Sequence, residues 1–279
     1  MKTKFRISIY FLPAIIFSFF GSLFFVSCQK DEPVTKKQSF DYEQIGIEHN
    51  KGLDYIFEYL KKEGVNKNSK LKNSTEIFEL TKQATLSFAK ASTITKDVDF
   101  NKLPLTFKSF NRNTLKSAGT NDIVTSIQSE INLSPLQITY LNQLDEIMSN
   151  VKIGLQPTIE EVKKLELDII ENCSSEDSDI LLSSTSVARH SLEYWTVNCE
   201  KWLNELGGIN TSNVKYGDWF WFIETLIVMG KSDVVGAAIG AGVGALAGGV
   251  GALPGAIAGA CYSSAGRGIV ALLDYWGIW

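Results

Sequence analysis

The sequence predicts an all-α fold, a multi-helix bundle that ends in a helical hairpin rich in glycine. Through the middle of the chain, apolar residues recur three, four and seven positions apart, which is the spacing of one face of an α-helix. Further on, no residue between Asp233 and Arg267 carries a charge, and glycines recur there every four positions. A period of four places these glycines near one face of a helix. The chain has 279 residues, enough for one sizeable core or two small ones.

The first segment, residues 1–27, has the composition of a lipoprotein signal peptide. Three basic residues precede an almost wholly apolar run over residues 7–25, as in the n-region and h-region of a secretory signal. Phe25-Val26-Ser27-Cys28 resembles the lipobox of bacterial lipoproteins. The resemblance implies cleavage before Cys28 and attachment of lipid, including palmitate, to this cysteine. The alternatives are an uncleaved membrane anchor and a cysteine that stands at this position by coincidence.

Residues 28–39 are predicted to be a lipidated tether. Gln29-Lys30-Asp31-Glu32 resembles the short export signal of surface lipoproteins in Bacteroidota. That resemblance implies a protein anchored by its lipid in the bacterial outer membrane and exposed at the cell surface. The first 27 residues hold three of the 27 basic residues and no acid, so the remainder has 24 basic and 31 acidic residues and a net charge of −7. This balance argues against nucleic acid as a partner.

Residues 40–232 are predicted to form a helical domain. The apolar spacing predicts helices over residues 40–64, 73–91, 122–131 and 176–206, with two more between them. Ser134 followed by Pro135 indicates the start of one of these two, because serine caps a helix and proline suits its first position. Thr158 with Glu161 has the spacing of a capping box and predicts the start of the other.

A short motif in the first helix carries a candidate polar site. Gly46-Ile47-Glu48-His49-Asn50 with Leu53-Asp54 resembles a G-x-x-H-N-x-x-L-D opening of uncharacterised Bacteroidota lipoproteins, a resemblance that implies no known activity. Glu48, His49, Asn50 and Asp54 have the chemistry to hold a metal or a proton relay. The favoured interpretation is that His49 and Asn50 fix helix packing, and packing is also favoured for His190.

The sequence predicts a protein that is not an enzyme. It contains no CxxC pair, P-loop, Rossmann fingerprint, GxSxG or HExxH motif, so no catalytic residue, cofactor or metal ligand is predicted. Cys173 and Cys199 are a candidate disulfide in an oxidising compartment, and Cys261 would then stay unpaired.

Residues 233–279 are predicted to be a helical hairpin with an aromatic C-terminus. Ser232 or Asp233 would cap a first helix from Val234 to about residue 249, and a second would run from near Pro254 to about residue 275. Glycine is costly in exposed helices, so its regular recurrence indicates close packing of two backbones. The predicted helix-packing residues are Gly236, Gly240, Gly244, Gly248, Gly251, Gly255 and Gly259.

This spacing resembles the glycine-zipper segments of class II and contact-dependent bacteriocins. The resemblance implies a hairpin that engages a target membrane or a protein partner, or that self-associates. We therefore expect a non-enzymatic surface lipoprotein with a glycine-zipper hairpin of bacteriocin-like action. The alternative is a structural or binding module of the cell envelope in which the hairpin is only the buried core. Because the uncharged first arm is shorter than a membrane span, we expect a hairpin sheltered by protein at rest.

Overall fold

The structure, a computed structural model, describes residues 41–66, 74–95, 122–150, 154–207, 216–246 and 251–276, and these residues form eight α-helices and no strand. The predicted all-α fold is confirmed. The helices are α1 (Glu43–Lys62), α2 (Ser74–Ala91), α3 (Ile123–Gln128), α4 (Pro135–Ser149), α5 (Leu155–Asn172), α6 (Ser175–Glu205), α7 (Tyr216–Leu246) and α8 (Ala252–Trp276). The predicted signal peptide, the tether with Cys28, and Gly248 lie outside the described residues.

Local sequence signals explain where several helices start. At α4, the Ser134 side chain accepts a hydrogen bond from the Gln137 backbone N–H, and the Gln137 side chain accepts one from the Ser134 N–H, with Pro135 at the first helical position. Asp122 caps α3 by accepting from the Thr125 N–H. Each of these caps satisfies a donor that the helix itself leaves free.

The predicted capping box at Thr158 is wrong. Helix α5 already begins at Leu155, and Thr158 lies inside its first turn. The Thr158 hydroxyl donates to the carbonyl oxygen of Gly154 instead of accepting from a backbone N–H. The sequence signal failed because a threonine side chain bonds equally well to a carbonyl one turn earlier.

The predicted start of the C-terminal hairpin is also wrong. Helix α7 runs without a break from Tyr216 to Leu246, so Ser232 and Asp233 lie in its middle and cap nothing. No proline interrupts this stretch, and both side chains lie at the contact with other helices. The division between residues 232 and 233 therefore falls within one continuous helix.

Helices α7 and α8 form the centre of the bundle. They make the most extensive contact of any pair among the described helices; α7 also packs on α3, α4 and α6, and α8 on α1, α2 and α6. Almost every side chain described in α8, from Gly251 to Val270, is buried. The surrounding helices are amphipathic and turn their apolar stripes inward, as in α1, where Ile45, Leu53, Ile56, Phe57 and Leu60 are buried.

An aromatic cluster on α6 seats α8. The rings of Trp195 and Trp202 lie 5.2 Å apart, and the ring of Phe57 from α1 lies 5.4 Å from that of Trp202. A methyl group placed on Gly268 would come within 3.2 Å of the Trp195 ring. Glycine at this position therefore lets α8 lie directly on the two indoles.

Candidate functional site

The glycines of α7 and α8 face one another in an antiparallel arrangement. A methyl group added to Gly240 would collide with the backbone of Gly255, and one added to Gly244 would collide with that of Gly251. At Gly236 it would approach Gly259, with the Cβ of Ser263 at 2.6 Å. Only a residue without a side chain allows backbones to come this close. Six of the seven predicted helix-packing glycines therefore lie at the α7–α8 contact, and the seventh, Gly248, lies outside the described residues.

Three residues before Gly236 in α7, the buried carboxylate of Asp233 joins helices α6, α7 and α8. The Asp233 Oδ2 atom accepts hydrogen bonds from Ser191 Oγ at 2.5 Å, Ser264 Oγ at 2.8 Å and Trp195 Nε1 at 3.3 Å. Trp195 Nε1 also contacts Ser264 Oγ at 2.9 Å. We call Asp233, Ser191, Trp195, Ser264 and His49 the Asp233 centre; its members are buried.

Helix α1 completes the centre with His49. Its Nε2 atom lies 3.5 Å from Asp233 Oδ2, and both side chains are fully buried. The other ring nitrogen is fixed by Asn50, whose Nδ2 donates to the His190 carbonyl oxygen at 3.1 Å and whose Oδ1 therefore faces His49 Nδ1 as an acceptor at 2.9 Å. The Nδ1 atom thus carries a proton, and a second proton on Nε2 would make His49 a cation beside the carboxylate.

The hydrogen-bond order in this centre differs from that of a catalytic relay. In a serine–histidine–aspartate relay, serine donates to histidine and histidine donates to the carboxylate. Here Ser191 donates directly to Asp233. No protein group in the described part of the chain bonds to Asp233 Oδ1, His49 Nε2 or Ser232 Oγ. The arrangement links α7 to α6 and α8 through one carboxylate oxygen.

The four residues of the predicted polar site point in different directions. His49 and Asn50 face α7 and α6, as above. Glu48 accepts hydrogen bonds from Ser92 at 2.9 Å and Lys51 at 2.7 Å, and Asp54 accepts from the Tyr194 hydroxyl at 3.1 Å. Among the described residues, no group of three or more metal-binding side chains converges. The motif is thus explained by helix packing, and a methyl group at Gly46 would collide with the ring of His190.

A second polar cluster lies nearer the surface and joins α1, α5 and α6. Arg189 donates to both carboxylate oxygens of Glu166, at 3.0 and 3.1 Å, and to Glu43 at 2.5 Å. His190 Nε2 lies 2.8 Å from the other oxygen of Glu43. The hydrogen bond from Arg189, together with that from His190, lowers the pKa of the Glu43 carboxyl. This cluster places His190 in an ion network.

The candidate disulfide between Cys173 and Cys199 does not form. Both thiols are free, as is that of Cys261. Cys173 precedes the first residue of α6 by two positions, whereas Cys199 lies in α6 itself, about 36 Å away at the standard helical rise. A disulfide needs α-carbons within about 7 Å.

Sequence reasoning missed the Asp233 centre. It assigned Asp233, with Ser232, to the cap of a helix that begins at Val234, and it drew no connection between Asp233 and any other helix. The contributing residues come from parts of the chain between 31 and 184 positions distant from Asp233, so no local pattern connects them. The one available signal was an acid at the border of a long uncharged segment.

Fold and site together define a class: an all-α bundle built around a glycine-packed, apolar hairpin with a buried carboxylate. Residues 201–273 match the model of a family of unknown function (DUF6861). The match begins near the end of α6, includes all of α7 and covers most of α8, so the central hairpin is the part shared with that family. Comparison with curated proteins and with solved structures gives no significant match.

Proposed function

We propose that this chain is a lipid-anchored bacterial surface protein of non-enzymatic type, whose sheltered hairpin enters a target membrane. One observation carries the proposal: α7 and α8, the most apolar helices of the described chain, pack against each other through glycines and are enclosed by amphipathic helices. Within the described residues, one helical stretch, Ile223–Ala245, has the length and composition of a membrane span, and 78% of its most apolar 18 residues is buried. The core helix of a soluble bundle has the same properties, so an experiment must separate the two cases.

Two kinds of contact hold the hairpin, and a bilayer affects them differently. Contacts between α7 and α8 rest on close approach of backbones at Gly236, Gly240 and Gly244, and such van der Waals packing persists in lipid. Contacts of the hairpin with the outer helices rest largely on burial of apolar stripes from water. In a bilayer, lipid tails would cover the same apolar side chains of the hairpin, so its contacts with the outer helices are no longer needed to keep them from water. The hairpin is therefore suited to leave the bundle as a unit.

The charges of the hairpin set the depth of entry. The uncharged arms, residues 234–246 and 252–266, are about 20 and 22 Å long at the helical rise. The hydrocarbon core of a bilayer is about 30 Å thick. Taking an aspartate to its middle costs roughly 3 kcal/mol. We therefore propose entry with the tip first, to the level of Asp233 and Arg267, and not a full crossing.

The predicted anchor supports the same proposal. A lipid on Cys28 would hold the protein at a surface, and the tether would let the bundle reach a neighbouring bilayer. Self-association through the glycines stays a prediction; it requires the hairpin to open, because Gly236, Gly240 and Gly244 already face partners in the same chain.

A second candidate function is an envelope module whose hairpin is a permanent core. The Asp233 centre favours it, because Asp233 is bonded to α6 as well as to α8 and faces α1. In this case the outer surface, and not the hairpin, would bind a partner.

A disulfide lock distinguishes the two candidates. A Cβ atom built at Gly242 lies 3.7 Å from Cγ2 of Ile131, so cysteines at positions 131 and 242 would be neighbours, and mass spectrometry would check that they form the disulfide before the assay. We would add the full chain with Ile131→Cys and Gly242→Cys to dye-filled vesicles of phosphatidylethanolamine and phosphatidylglycerol. The proposal expects leakage after reduction and none when the lock is oxidised, with the wild-type chain leaking under both conditions. If the reduced protein is folded but releases no dye, membrane entry is refuted and the second candidate, a hairpin that is a permanent core, is supported.

A further inference from the structure

We propose that Asp233 is a charge latch: its ionised carboxylate holds the hairpin in the closed bundle, and neutralising it releases the hairpin. This inference rests on the proposed function, because it names what keeps the hairpin sheltered. It assigns to a single carboxylate the regulation of hairpin exposure.

Three hydrogen-bonding groups converge on one oxygen of Asp233. Trp195 Nε1 is always a donor, and the hydroxyls of Ser191 and Ser264 lie at 2.5 and 2.8 Å from the same oxygen. Hydrogen bonds to a charged acceptor are roughly twice as strong as neutral ones. Loss of the charge therefore weakens three contacts at once, two of them to α6.

The latch lies where the hairpin meets the rest of the bundle. Ser191 and Trp195 belong to α6 and His49 to α1, whereas Ser264 belongs to the hairpin itself. Neutralising Asp233 leaves the glycine contacts between α7 and α8 untouched, because those are backbone contacts. The hairpin would therefore be released from α6 and α1 without separating its own two helices.

Other charged groups near the centre have their own partners. The neighbouring Lys231 is held by Asp145 of α4 at 3.0 Å, and Glu48 of α1 is bonded to Ser92 and Lys51. The ionisable groups that face Asp233 are His49 of α1 and, on α8, Cys261, whose sulfur lies 3.5 Å from the His49 carbonyl oxygen. The residues of α6 that bond to Asp233 are Ser191 and Trp195, which carry no charge.

Two native thiols report release directly. Cys261 on α8 and Cys199 on α6 are both buried. Release of the hairpin uncovers Cys261 and also the face of α6 that carries Trp195, Cys199 and Trp202, while the helices themselves persist. Global unfolding exposes the same thiols but also removes the helical circular-dichroism signal, which is therefore recorded for every sample. The experiment measures the rate at which a maleimide modifies each thiol in the full chain without lipid, with the sites separated by mass spectrometry of peptides. The variants are Asp233→Asn, which keeps the shape and removes the charge, and the matched control Asp145→Asn. The control removes the charge of a carboxylate on α4 that binds Lys231 of the same helix, α7.

The latch predicts that Cys261 reacts at least about tenfold faster in Asp233→Asn, a change equivalent to 1.4 kcal/mol. The helical circular-dichroism signal of Asp233→Asn should match that of wild type, and the Asp145→Asn protein should keep the wild-type rate for both thiols. Equal Cys261 rates in Asp233→Asn and wild type would overturn the latch, and so would equal acceleration by Asp145→Asn.

A second variant covers the case in which Asp233→Asn does not fold and loses its helical circular-dichroism signal. Ser191→Ala removes the hydroxyl donor of α6 and keeps the charge of Asp233, so Cys261 should react faster than in wild type while the helical circular-dichroism signal is retained. An unchanged rate there would overturn the latch. Vesicle leakage is measured separately: accelerated Cys261 labelling without leakage supports the latch and refutes membrane entry. Leakage by wild type with unaltered labelling in the variants refutes only the latch.

Discussion

Helices α5 and α7 show two different ways in which a sequence specifies a helix. In α5 one stripe is buried, formed by Thr158, Ile159, Val162, Leu165 and Ile169, while Leu167 and Ile170 on the other side are 62% and 61% exposed. In α7 every residue over positions 229–238 is buried, including Lys231 and Asp233. An outer helix is therefore specified by periodic burial of apolar side chains. The central helix is specified by small size and by polar contacts.

The largest contrast between the two regions is expected at their big side chains. Met229→Ala truncates a side chain of α7 that belongs to the hydrophobic core and is 3% exposed, so the free energy of unfolding should fall by about 2–5 kcal/mol. Leu167→Ala on α5 should change it by less than about 0.5 kcal/mol. Urea unfolding followed by circular dichroism measures both. Similar losses in the two variants would contradict the division into centre and outer layer.

A smaller effect sharpens the comparison within α7 itself. Gly240→Ala would force a methyl group onto the backbone of Gly255, whereas Gly242→Ala would meet the end of the Ile131 side chain at 2.6 Å. Both changes raise helix propensity equally. We expect Gly240→Ala to lower the free energy of unfolding by about 1–3 kcal/mol, and Gly242→Ala to cost clearly less because a side chain can rotate away. Thermal unfolding of the two variants provides the test, and equal costs would mean that backbone approach does not determine the packing of α7.

The smallest effect concerns the outer ion cluster. The pKa of Glu43 is held below its ordinary value of 4.5 by Arg189 and His190, so the folded protein binds the proton of this carboxyl less readily than the unfolded chain. Its contribution to stability is therefore complete above about pH 4.5 and disappears as the pH falls through the lowered pKa. Because Glu43 is 45% exposed, the contribution should be below about 1 kcal/mol.

Comparison of Glu43→Gln with wild type by urea unfolding at pH 7 and at acid pH measures this contribution. The difference between the two proteins should shrink at acid pH. A difference that stays constant would show that Arg189 and His190 do not stabilise the charged carboxyl.

The outer helices were predictable from the sequence because their signals are local. Ser134 with Pro135 and the stripe of α1 depend on neighbours within one or two turns, and the structure has helices at both places. The repeated glycines likewise predicted a close contact, since their spacing is a property of a single helix. These features need no knowledge of the rest of the fold.

The centre was not predictable in the same way. Whether Asp233 caps a helix or lies inside one depends on Ser191 and Trp195, which are about 40 positions earlier, and on His49, 184 positions earlier. Thr158 failed for a related reason, because its hydroxyl has two good local partners and the sequence does not choose between them. Where a polar residue has competing partners, tertiary structure decides.

The position of the hairpin near the C-terminal end of the described chain has a consequence for the order of folding. Helices α1, α2 and α6 turn their apolar stripes toward α8, which is synthesised after them, so during translation these stripes have no complete core to cover. The buried aspartate likewise obtains its Ser264 donor only when α8 has formed. The earlier helices therefore stay loosely assembled until α8 has been made, and the core is completed in a single late step.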